Sequence, residues 1–124
     1  MTTVKKMETQ TATAATDTFT FTDMLKGDLL KVDIYCSATT SFKIYTLQDD
    51  GTTVGEYIFG GSATTLNVAS ATHLNPGTGF VDADGAAPTT DVQSAFVIAK
   101  SQIKVDASGL SAADTWNVDL TIRE

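Results

Sequence analysis

The sequence has one cysteine, one histidine and two prolines, and each scarcity removes a class of explanation. Cys36 has no second cysteine to pair with, so no intramolecular disulfide staples the fold, and no Cys/His spacing of the zinc type exists. Within LLKVDIYCSA, Cys36 falls in phase with Leu30, Val32 and Ile34 and reads as a small buried hydrophobe. A cysteine nucleophile would need a base, and His73 is far away in sequence. Cations are also few: Lys+Arg number 8 against 15 Asp+Glu, a net charge of -7, and no basic cluster exceeds Lys5-Lys6. Such a surface repels phosphate backbones and anionic lipid, which argues against nucleic acid and membrane as partners. No apolar run is long enough to span a bilayer. The opening residues MTTVKKMETQTATAATD lack the apolar stretch of a signal peptide, so the expectation is synthesis in a cytosol without export by a cleaved signal. Helical periodicity is scarce as well, which excludes α/β schemes.

What remains is a threonine-rich, strand-forming chain. Its 124 residues form one domain, long enough for one hydrophobic core. DTFTFTD places Phe19 and Phe21 on one face with Thr18, Thr20 and Thr22 on the other, a half-buried strand. MLKGD reads as a bend, with Gly27 free to take positive φ and room for one helical turn in DMLKGDLLK. LLKVDIYCS and SFKIYTL alternate next, the latter with Phe42 and Ile44 inward, and DDGTT is a hairpin turn into VGEYIFGG. In VGEYIFGG both faces carry apolar residues, which implies cover on both sides; TLNVA is a further short strand. SAFVIAK, continuously apolar, reads as a central strand, and SQIKVDA points Ile103 and Val105 inward. TWNVDLTI sets Trp116, Val118, Leu120 and Ile122 against Asn117, Asp119 and Thr121. The expected fold is all-β, an antiparallel β-sandwich or jelly roll of about eight short strands. Residues 1–16 are expected to form an extended N-terminal arm that packs weakly on the body. Residues 17–124 form the sandwich, with a long loop at 70–91.

That loop, SATHLNPGTGFVDADGAAPTTD, holds His73, both prolines and several aspartates. With Gly85 set at position 6 of an EF-hand, Asp82 and Asp84 fall at 3 and 5 and Asp91 at 12, but Phe80 falls at position 1 and Pro88 interrupts the loop. A calcium site of another kind on Asp82, Asp84 and Asp91 competes with solvated loop aspartates, the reading taken here. His73 lacks any Gly-x-Ser-x-Gly elbow or paired cysteine and reads as a structural or solvent-facing loop residue. Glu56 sits on a strand between aromatics where a glycosidase would place an acid, yet it reads as a charged residue on a solvent face. No phosphate-binding glycine loop occurs. The sequence therefore assigns no catalytic, cofactor or metal residue, and no enzyme is expected. Tyr35, Tyr45, Tyr57 and Phe80 are candidates for stacking on sugar rings. The arm and the loop, both poor in residues that pack on themselves, read as docking segments.

The closing section SQIKVDASGLSAADTWNVDLTIRE, with alternating IKV, an SG-containing loop and a final Trp-x-Val-x-Leu-x-Ile strand, resembles the terminal strand pair of small β-sandwich virion proteins of tailed bacteriophages, the capsid decoration (cement) proteins and related minor structural proteins. The Thr/Ala-rich residues 1–16 are in character with them. The resemblance implies a non-enzymatic virion protein, made in the host cytoplasm and present in many copies. It implies binding to the major capsid protein or another virion protein and assembly as a homo-oligomer, a trimer being favoured. The competing classes are a carbohydrate-binding or adhesion module, such as a phage fibre domain binding host glycan, and a tail or neck component.

Overall fold

The computed structural model describes residues 2–59, 65–75 and 96–124. It is all-β: strands β1 (Thr2–Lys6), β2 (Gln10–Thr11), β3 (Thr16–Cys36), β4 (Thr40–Leu47), β5 (Val54–Phe59), β6 (Leu66–Val68), β7 (Ala71–Leu74), β8 (Phe96–Ser108) and β9 (Thr115–Arg123). They form a continuous antiparallel sheet in the order β1-β9-β3-β8-β4-β5, with β2 also on β9, β6 on β4 and β7 on β3. The sheet folds over on itself into two layers. One contains β1, β2, β9, the second half of β3 and β7; the other contains the first half of β3 with β8, β4, β5 and β6. Between the layers the Phe42 and Trp116 rings meet at 5.6 Å. The core is the set of inward residues that alternation picks out, Ile34, Phe42, Ile44, Ile103, Val105, Val118, Leu120 and Ile122 among them. Each such burial is worth about 1.5–3 kcal/mol.

β3 passes through both layers, where two strands with a bend between them were expected. The bend is there, but it is made by bulges and not by a break. While β3 advances from Phe21 to Leu25, β8 moves only from Ile103 to Ser101, and Gly27 adopts φ +131°. Such slips increase twist and let one strand turn the corner of a sandwich. The DMLKGDLLK segment is strand throughout and has no helical turn. A further slip between Leu29 and Lys31 changes the phase, so Leu29 is fully buried while Leu30 is only half-buried. Cys36, also half-buried, donates its thiol to the Val68 carbonyl at 3.4 Å.

β8 likewise merges SAFVIAK with SQIKVDA. Its first part is not the central strand expected from its apolar run: Val97 is 68% exposed, and in this stretch Ile98 alone is fully buried. β8 and β9 are not paired with each other. They flank β3 on its two edges, so the terminal strand pair read from the sequence is split between layers.

Residues 2–12 correct the expectation of a weakly packed arm. β1 and β2 pair with β9 along Lys6↔Asp119 to Thr2↔Arg123 and along Gln10↔Trp116, and Met7 and Ala12 are buried in the core. The hairpin at DDGTT is as expected: Gln48 N–H donates to the Thr53 carbonyl at 2.8 Å, and Gly51 has φ +74°. Ile58 and Phe59, consecutive and both fully buried, show that β5 is covered on both faces. The start of the expected 70–91 loop is strand as well, since Ala71–Leu74 pair with Tyr35–Val32. β7 and β8 follow the same edge of β3: the chain leaves that edge at Leu74, opposite Val32, and rejoins it at Phe96, opposite Leu29.

Candidate functional site

The outward parity of β9, β3 and β7 brings polar residues into rows across one layer. Lys6 of β1 stands opposite Asp119, Asp119 opposite Asp33, and Asp33 opposite His73. Directly opposed residues on one face lie about 4.5–5.5 Å apart at Cβ, so the two carboxylates are close and are flanked on each side by a basic residue. His73 Nδ1 is hydrogen-bonded to the Asp33 carboxylate, whose second oxygen lies 3.4 Å from Lys31 Nζ. His73 is therefore a strand residue and not the loop residue expected; it is exposed and held by an acid, in keeping with the structural or solvent-facing role read from the sequence. Among the described residues its ring has no other hydrogen-bond partner, so no hydroxyl or thiol is placed for it to deprotonate.

The neighbouring row is Asn117, Tyr35 and Ala71. The Tyr35 side chain is exposed and meets the His73 ring edge-on, with centroids 6.1 Å apart. Beside it lies a cleft of about 320 Å3 whose lining includes Tyr35, Asn117, Ser37, Ser70, Thr115 and Trp116. Ser37 Oγ accepts the Thr115 N–H at 2.8 Å, which ties β9 to the end of β3. The Asn117 Oδ1 atom is buried and has no hydrogen-bond partner. An unmet buried acceptor costs about 1–3 kcal/mol, so it is a feature that asks for a reason.

The other sequence candidates are dispersed. Tyr45 is buried on β4 and donates its hydroxyl to Asp106 at 2.7 Å, with Tyr57 packed against its ring at 5.5 Å. Burial and then that hydrogen bond push the phenol well above its ordinary range, so this ring is structural and unavailable for stacking on a ligand. Glu56 is exposed, as expected, and lines a cleft of about 520 Å3 together with Asp49, Asp50, Val97 and Ile98. Asp50 caps its own turn: the Thr53 hydroxyl, then the Thr53 and Thr52 amides, hold its carboxyl down at about 2. Burial raises the Cys36 thiol above its ordinary range. Phe80, Asp82, Asp84 and Asp91 lie outside the described residues. Among the described residues, no three His, Cys, Asp or Glu side chains converge to hold a metal ion, and no helix is long and apolar enough to cross a membrane.

Alternation alone assigns Asn117 and Asp119 to the outward face of β9. Their meeting with Tyr35, Asp33 and His73 depends on strand order, which alternation does not carry.

The chain matches no protein-family model, and no curated protein is significantly similar to it.

Proposed function

We propose that the protein is a non-enzymatic structural component of a tailed-phage virion, a capsid decoration protein that binds the head. The reading is supported by the likeness of residues 101–124 to such proteins and by a two-layer sandwich of the kind that resemblance implies. One observation carries the contact surface. The chain leaves the β3 edge at Leu74 and returns at Phe96 only three β3 positions further on, about 10 Å at the usual strand rise. Residues 76–95 join these two points, lie outside the described residues and are the segment assigned to the partner in this reading. The N-terminal segment is not: its pairing to β9 assigns it to the body.

The register supplies the test. Leu30 and Lys31 separate the two anchor points, so a two-residue Gly-Ser bridge between Leu74 and Phe96 joins β7 to β8 in phase. Co-sedimentation with shells assembled from the major capsid protein of the source phage should show saturable binding by the full chain. The bridged variant should melt cooperatively yet fail to bind. Full binding by the bridged variant would remove the contact assignment, and no binding by the full chain to head, neck or tail components would remove the virion reading.

A further inference from the structure

The unmet oxygen of Asn117 sits beside the one large exposed aromatic side chain among the described residues. Tyr35 and Asn117 are direct cross-strand partners, so both project from the same face. On its other side Tyr35 faces Ala71, whose small side chain leaves the ring uncovered, and the edge contact to His73 fixes its tilt. His73 is itself anchored by Asp33. Asn117 and Tyr35 line the same cleft.

We propose that this cleft binds a neutral sugar, with one pyranose ring lying against Tyr35 and one of its hydroxyls donating to Asn117 Oδ1. Four observations select that chemistry. An aromatic ring offers its face to the C–H side of a pyranose and its edge to polar neighbours. The amide of Asn117 and the hydroxyls of Ser37 and Ser70, which line the cleft, are groups that exchange hydrogen bonds with sugar hydroxyls. The cleft, about 320 Å3, is at the small end of ligand sites and takes one ring, not a long chain. The adjacent Asp33–Asp119 pair and the net charge of -7 disfavour an anionic sugar. A sugar hydroxyl would satisfy the acceptor that the protein leaves unmet. The cleft's lining comes from β3, β7, β9, their adjoining residues and Thr9, none of which belongs to the segment assigned to the particle contact above.

Saturation-transfer difference NMR on the full chain tests this directly, with glucose, galactose, mannose and N-acetylglucosamine as probes and N-acetylneuraminic acid as the anionic control. At least one neutral sugar should show saturable transfer in the millimolar range, and the anionic one none. Tyr35→Phe should keep the binding, whereas Tyr35→Leu and Asn117→Ala should each weaken it about tenfold or more. Trp116, which also contributes to the lining, gives a second readout, a shift of its emission that saturates at the same sugar concentration. Tyr35 is exposed, so Tyr35→Leu stays interpretable even where Asn117→Ala unfolds. Absence of saturable transfer from all four neutral sugars overturns the proposal, as does binding that Tyr35→Leu leaves unchanged.

Discussion

Gly27 and Lys100 share φ +131°, a backbone angle that glycine adopts freely and lysine does not. They lie on facing strands where β3 and β8 slip past each other at the corner of the sandwich. At Gly27 a Cβ would also stand 2.4 Å from the Arg123 carbonyl oxygen. Gly27→Ala should therefore destabilise by about 2–3 kcal/mol or more, read as a fall in the urea midpoint. Lys100→Gly should act in the opposite direction. Relief of strain worth about 1–3 kcal/mol outweighs the added freedom of the unfolded chain, about 0.5–1 kcal/mol, so the midpoint should rise. Tyr45 gives a pH signature at the same scale. Its folded-state pKa is raised, by burial first and the Asp106 hydrogen bond second, so its contribution to stability is complete below the ordinary tyrosine range, near pH 10. That contribution is lost as pH climbs through the higher folded value. Absorbance titration should show one of the three tyrosines ionising only at higher pH, together with unfolding, and Tyr45→Phe should remove that step.

At the scale of elements, alternation located most inward faces and misjudged where strands begin and end. Phe19–Phe21, Phe42–Ile44, Ile103–Val105 and the Trp116–Ile122 series were legible because burial on one face imposes a period of two. The continuity of β3 was not, since a bulge looks like a bend in one dimension; the phase slip at Leu30 shows the same thing at single-residue resolution. β1 was hidden for another reason. TTVKK has a single large apolar residue, Val4, which faces solvent, and what holds the strand is backbone pairing to β9, which leaves no residue pattern. Lys5 adds to the concealment by reaching Asp23 at 3.2 Å across the open edge, a charge that discourages further strand pairing there. Deletion of residues 2–12 should thus expose the β9 edge, empty the Met7 and Ala12 sites and cost about 3 kcal/mol or more. A free arm would give no change in the denaturation midpoint.

For the molecule as a whole, the sheet order decides what could be known in advance. His73 and Asp33 are forty positions apart, and only the β3–β7 register makes them neighbours; the same holds for Tyr35 and Asn117. The fold class followed from the sequence, while the candidate cleft needed the order of strands. Under the virion reading, light scattering behind size exclusion should find a discrete trimer, whereas a monomer at high concentration would favour assembly only on the particle or the sugar-binding role alone. The pairing of β1 with β9 has a mechanical consequence. Thr2 stands opposite Arg123, so the start of β1 and the end of β9 lie side by side. Tension applied between those ends falls on one rung of the ladder at a time. The molecule would unzip at that seam under modest force, β1 peeling away while the β3–β8 pairing on the far side of β3 is still unstrained.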